Sequence, residues 1–225
     1  MVRTIKEGLI VSCQALKGEP LYGGRTIVKM AKAAIEGGAI AIRANSVKDI
    51  NAIDRYLNRE VPIIGLIKKD YSDCEPYITP TLKEVKKLIK SRCDVIALDA
   101  TLRPRHNDVK LEELIDYIRK HSDKKIMADI ATIEEAKRAE SLGFDYISST
   151  LHGYTENTID VKLPDLEFLK KLKSEIKNSI IIAEGGIREV SELKAIINMG
   201  YKHIVIGSAI TRPQLITKMY VSAFH

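Results

Sequence analysis

Eight short apolar runs, each ending on a polar, chargeable or glycine residue and followed by a helix-like stretch, recur along this 225-residue chain. They are LIVSCQ ending at Gln14, AIAIR at Arg43, PIIGLIK at Lys68, VIALD at Asp99, KIMAD at Asp129, DYISST at Thr150, SIIIAE at Glu184 and HIVIG at Gly207. Their starts are spaced by about 28 residues, one strand-plus-helix unit. Such alternation calls for a parallel sheet, and eight copies in a chain of this length call for a closed (β/α)8 TIM barrel. In that architecture the active site lies at the C-terminal strand ends, so the eight run-ending residues are the candidate site.

No Pro-, Gly- or Ser-rich tract divides the sequence, and residues 1–225 read as a single barrel domain. Helices are expected over 24–37, 46–57, 81–91, 109–121, 132–142, 164–177, 189–199 and 213–223. The fourth carries Leu111, Leu114, Ile115 and Ile118 at helical spacing. The fifth opens with Thr132 and Glu135 in a capping-box arrangement, and the eighth opens with Pro213. Two longer loops, 69–80 and 152–163, follow the third and sixth strands and are expected to shape or cover a pocket.

Net charge is +6, but Lys and Arg alternate with Glu along helix faces, as in EVKKLIK (84–90) and EEAKRAE (134–140). That pattern is a solvated, ion-paired surface. Without a basic stripe interleaved with aromatics, nucleic acid is not an expected partner. Cys13, Cys74 and Cys93 are far apart and make no metal-ligand pair, so no metal is expected, and a sparse, odd set suits a reducing compartment. No apolar stretch approaches the ~20 residues of a membrane span, and the first apolar run is too short for a signal sequence. A cytoplasmic location with no membrane partner is the expectation.

Strand alternation sharpens the site. If Lys68 points into the barrel, so do Leu66 and Ile64, while Ile67 and Gly65 face the helices. The same phase makes Gln14, Arg43, Asp99, Asp129 and Glu184 an upper inward layer, above the small or apolar Ser12, Ala41, Ala97, Met127 and Ile182. Unpaired buried charge is costly, so this clustering of one Arg, one Lys and three carboxylates points to chemistry; the plainer alternative is an ion-pair network at the barrel mouth.

A lysine acts as a base only when neutral, which requires its pKa to fall from ~10.4 towards neutrality through burial or a nearby cation. Lys68 is the candidate, with Arg43 as the cation; Lys69 faces away by alternation. The arrangement works best if Arg43 is salt-bridged to one carboxylate and Glu184 is partly protonated. Strands seven and eight run into Glu184-Gly185-Gly186 and Gly207-Ser208-Ala209. In many barrels the loops after these two strands bind phosphate, with glycine letting backbone N–H groups approach the anion. Arg212 follows and adds charge.

At these residues the chain resembles the N-acetylmannosamine-6-phosphate 2-epimerases, phosphate-binding barrels of sialic acid catabolism. The matching segments are GLIVSCQAL (8–16), AIRAN (41–45), PIIGLIKKDY (62–71), VIALDAT (95–101), IMADI (126–130), STLHGYT (149–155), IIAEGGI (181–187) and IGSAITRP (206–213). They keep the family's order from the first strand to the last helix. The resemblance implies cofactor-independent epimerisation at C2 between N-acetylmannosamine 6-phosphate and N-acetylglucosamine 6-phosphate, through an enolate of the open-chain sugar. It assigns proton removal and return to Lys68, with Glu184 as partner acid. It gives Gln14, Arg43, Asp129 and Thr150 to the sugar, and Gly186, Gly207, Ser208 and Arg212 to the phosphate. It also implies a homodimer, for which Met219, Tyr220, Val221 and Phe224 offer an apolar face. Leu21 to Arg25 and the Gly207-Ser208 pair, where Gly-Gly is more usual, depart from the family pattern. The alternatives are another phosphate-barrel isomerase, decarboxylase or synthase, or a non-catalytic sugar-phosphate sensor. The decarboxylases' Asp-x-Lys-x-x-Asp cluster is missing from VIALDAT.

Overall fold

Strand and helix alternate in the computed structural model, which describes residues 2–224. The strands are β1 (Gly8–Cys13), β2 (Ala41–Asn45), β3 (Ile63–Leu66), β4 (Val95–Asp99), β5 (Lys125–Asp129), β6 (Tyr146–Ser148), β7 (Ile180–Glu184) and β8 (His203–Ile206). Each pairs in parallel with the next, and β1 pairs with β8, closing the barrel. The helices are α1 (Gly24–Glu36), α2 (Val47–Tyr56), α3 (Leu82–Ile89), α4 (Leu111–His121), α5 (Ile133–Ser141), α6 (Leu166–Glu175), α7 (Val190–Asn198), α8 (Ser208–Thr211) and α9 (Pro213–Val221). The fold is thus the (β/α)8 TIM barrel that the eight runs call for.

Local chemistry explains the helix bounds. Thr132 Oγ1 accepts from the Glu135 N–H at 3.2 Å, and a Glu135 carboxylate oxygen accepts from the Thr132 N–H at 3.0 Å, so each satisfies an orphan donor of the first turn of α5. Leu111, Leu114, Ile115 and Ile118 are all buried along α4. Among the α-helices of the described residues α8 alone is unanticipated: a single turn beginning at Ser208, so that Gly207-Ser208-Ala209 is a strand end passing directly into a helix rather than an open loop.

Side-chain phase divides the core in two. Ile10, Ala41, Ile64, Leu66, Ala97, Met127, Ile182 and Val205 fill the barrel interior. Val11, Ile42, Ala44, Ile63, Ile96, Leu98 and Ala128 form a second cluster with the helices. Gly65 belongs to the outer phase, and a Cβ there would stand 2.6 Å from the Cβ of Cys93. No larger residue fits between β3 and its neighbours without displacement.

Five strand ends differ from the expected bounds: β1 and β8 stop one residue early, at Cys13 and Ile206, β6 stops two residues before Thr150, at Ser148, and β2 and β3 differ by two residues each. β2 runs two residues past Arg43, to Asn45, which places the arginine inside the barrel rather than at its rim. β3 stops at Leu66. Lys68 lies beyond it, where the chain turns back on itself and bridges Lys68 to Ile78 in antiparallel fashion. The α9 helix has no buried residue.

Candidate active site

The centre of the barrel mouth is Arg43, whose register neighbours are Ser12 on β1 and Ile64 on β3. Its side chain is 1% exposed, and it pairs with Asp129, 0% exposed, and with Glu184. Thr150 completes the cluster. Its hydroxyl accepts from Arg43 Nη1 at 2.9 Å and lies 2.7 Å from Asp129 Oδ1 and 2.9 Å from Glu184 Oε2, to one of which it donates. Ser148, two residues before Thr150 on the same inward phase, reaches Glu184 Oε2 at 3.3 Å. One arginine thus binds two carboxylates, not the single one expected.

These charges set protonation. Burial pushes the Asp129 carboxyl up to about 7 and the Glu184 charge adds to this, against the attraction of Arg43 and the Thr150 hydrogen bond. Asp129 is therefore a buried carboxyl able to hold a proton near neutral pH, a property the sequence does not reveal. Asp99 also departs from its expected place in the cluster. Its carboxylate accepts from Thr101 Oγ1 at 2.7 Å and from Arg103 Nη2 at 2.9 Å, and so serves the loop after β4 instead.

Lys68 is half-buried on the wall of the same cleft as Arg43, Thr150 and Glu184, and it makes no salt bridge among the described residues. Burial holds its pKa below the ordinary lysine value. The positive charges of Arg43 and Arg212 lower it further and are opposed by Glu184 and Asp129. Arg212 is the second cation, one the sequence does not point to in this role. Lys69 is exposed on the other side of the chain, over the Tyr71 ring.

Gln14 Nε2 donates to Ser12 Oγ at 2.8 Å, while Gln14 Oε1 and Arg43 Nε are buried with no hydrogen-bond partner among the described residues. Buried polar atoms are rarely left so in a working protein, and a polar ligand in the cleft is their natural partner. At the end of β7, Gly185 and Gly186 have φ of 113° and 69°. They turn the chain at the cleft, which Gly186 lines together with Gly207 and Ser208. Arg212 Nη1 donates to Ser208 Oγ at 2.8 Å, and its Nε donates to Glu19 at 2.7 Å. Neither Glu19 nor Ser148 stands out by sequence. Glu19 lies in an irregular loop, and Ser148 in the DYISST run is visible only once its inward phase with Thr150 is applied.

Nine of the ten site residues named from sequence line one cleft of about 920 Å³, and Asp129 lies behind Arg43. Fold and mouth together mark the chain as a (β/α)8-barrel enzyme. The sequence profile of the N-acetylmannosamine-6-phosphate epimerases matches residues 27–225, and the chain belongs to that family. A relative from Oceanobacillus iheyensis, assigned by name to N-acetylmannosamine-6-phosphate 2-epimerase activity, is 51% identical over 98% of this chain and 100% of its own. One from Staphylococcus aureus with the same designation is 49% identical over 96% and 97%. The solved N-acetylmannosamine-6-phosphate 2-epimerase of Clostridium perfringens superposes with a TM-score of 0.93 at 46% identity, covering 97% of this chain and 94% of that one.

Proposed function

We propose that the chain interconverts N-acetylmannosamine 6-phosphate and N-acetylglucosamine 6-phosphate by inverting C2, in the breakdown of amino sugars including sialic acid. The observation that carries this reading is Lys68: a half-buried amine without an ion-pair partner, facing a cleft whose cations depress its pKa. Burial and neighbouring cations disfavour its charged form, which suits it to take up a proton as a base.

The C2–H bond is acidic only beside a C1 aldehyde, so the ring must open first. The Lys68 lone pair then takes the C2 proton. The C–H electron pair forms the C1–C2 double bond, and the carbonyl pair moves onto O1 as an enolate. Gln14 and the Arg43 edge, with its unpartnered Nε, bind the carbonyl and N-acetyl region and stabilise that charge. A proton delivered to the opposite face, with Glu184 as partner acid, completes the inversion. Thr150 and Asp129 hold Arg43 and Glu184 in register and contribute to sugar binding. Gly186, Gly207, Ser208 and Arg212, which line the cleft together, take the phosphate. No cofactor enters this scheme. The enzyme works in the cytoplasm as a homodimer, with the exposed face of α9 against a second copy.

Proton NMR in D2O with N-acetylmannosamine 6-phosphate tests the reading. Wild-type protein is expected to yield N-acetylglucosamine 6-phosphate carrying deuterium at C2, and Lys68→Ala neither product nor exchange. Folded wild type that gives no conversion and no exchange would overturn it.

A further inference from the structure

The segment between β3 and α3 doubles back across the barrel mouth, and its returning arm sets Tyr77 beside Lys68. Its backbone is tied at several points. The Lys69 N–H donates to the Tyr77 C=O at 2.9 Å, the Thr79 N–H to the Ile67 C=O at 2.8 Å, and the Asp99 N–H to the Ile78 C=O at 3.0 Å. Tyr77 is therefore held by the barrel and not by a free loop. Its ring packs on the apolar barrel interior and lines the cleft, with Lys68 Nζ 5.8 Å from the ring centroid. Its hydroxyl has no hydrogen-bond partner among the described residues. Burial keeps that hydroxyl protonated, with the Asp129 charge acting in the same direction, so it is a donor without an acceptor.

We propose that Tyr77 contacts the substrate, its hydroxyl binding the C2 acetamido group while its ring shields Lys68 from water. This rests on the epimerase reading above. A base within hydrogen-bond reach of the C2 hydrogen, ~3 Å, brings whatever stands beside it up to the other substituents of C2. Among those substituents the acetamido group alone offers both a methyl for an aromatic face and a carbonyl oxygen for a phenolic donor. The ring acts on the base by excluding water. Attraction between ammonium and ring would favour the charged form, but 5.8 Å is close to the ~6 Å limit of that effect, and burial is the larger influence on Lys68.

Two variants separate the roles, with kcat and KM measured across pH. Tyr77→Phe keeps the ring and should raise KM about tenfold, the scale of one lost substrate hydrogen bond, while the acid limb of the pH profile stays in place. Tyr77→Ala should in addition move that limb upward by about one pH unit as water reaches Lys68. A Tyr77→Phe enzyme with wild-type KM overturns the acetamido contact, and a Tyr77→Ala enzyme with an unmoved limb overturns the shield. Deuterium exchange by wild type tests the epimerase reading on its own, so a failure there is distinct from a failure here.

Discussion

Arg43 and Asp129 form an ion pair inside the barrel, with side-chain exposures of 1% and 0%. Such a pair is stabilising only while it is whole, since removing one partner leaves an uncompensated buried charge. Arg43→Met is expected to destabilise the fold by about 3–5 kcal/mol at pH 8. The loss should shrink at pH 5. The Asp129 pKa is raised from 3.8 to about 7, so the folded state holds this proton more tightly than the unfolded chain does. That contribution is fully present below the unfolded value and is lost as pH rises through the folded one. Without Arg43 the pKa moves higher still. Urea unfolding midpoints of both proteins at pH 5 and pH 8 check this, and an equal gap at the two values would contradict it.

Activity should fall on the acid side as Lys68 gains a proton. Because its pKa is held below the ordinary lysine value by burial and two neighbouring cations, the midpoint of the acid limb of kcat/KM is expected below that value. Lys68→Arg keeps the charge and cannot give it up. It should lose at least ~10²–10⁴ in kcat while still binding sugar phosphate, as calorimetry with the product can report.

Much of this site is legible in sequence because a strand's period is two. Once Lys68 is phased inward, Gln14, Arg43, Asp99, Asp129 and Glu184 follow by alternation, and so does the apolar layer of Ala41, Ala97, Met127 and Ile182 beneath them. Counting fails where the backbone leaves the strand. The return of residues 77–79 to pair with residues 67–69 is a contact between irregular segments, and nothing periodic announces it. Asp99 has the right phase, yet its carboxylate pairs with Arg103 in the following loop, a partner that strand alternation does not announce. How charges share partners is a matter of distances and burial, which is why the raised pKa of Asp129 is not visible in the sequence.

Glu19 and Arg212 are ion-paired at 2.7 Å at the edge of the proposed phosphate site. Burial alone would raise the Glu19 pKa, yet the hydrogen bond and charge of Arg212 hold it below the usual value. Glu19→Gln keeps an acceptor for the guanidinium and removes one negative charge from near the anion. A unit charge ~7 Å away at an effective dielectric of ~40 is worth about 1 kcal/mol. Inorganic phosphate should therefore inhibit the variant about five- to tenfold more tightly at low salt. The gain should diminish as ionic strength rises, and unchanged inhibition at low salt would count against the phosphate assignment.

The α9 helix leaves Leu215, Met219, Tyr220 and Val221 between 48% and 67% exposed. A short helix with that face uncovered is poorly stabilised by its own barrel. Met219→Lys combined with Tyr220→Lys is expected to convert a dimer to a monomer in sedimentation velocity. Wild type that sediments as a monomer at micromolar concentration would remove the dimer from the scheme.

Leu163 packs against Gly186, joining the loop after β6 to the turn after β7. A Cβ added at Gly186 would stand 2.2 Å from the Leu163 Cβ, and φ there is +69°. Two penalties therefore meet in Gly186→Ala: a left-handed backbone that costs roughly 1 kcal/mol with a side chain, and a clash that must push one loop away. The clash is the larger, because the backbone of Leu163 is only 3.1 Å from the same point. Displacing the turn moves the N–H groups proposed to meet the phosphate, so KM for sugar phosphate should rise by about tenfold or more. Leu163→Ala removes the outer part of the Leu163 side chain but not its Cβ or backbone. The double variant should recover only part of the lost affinity, whereas full recovery would mean that side-chain crowding alone, not backbone strain, sets the turn.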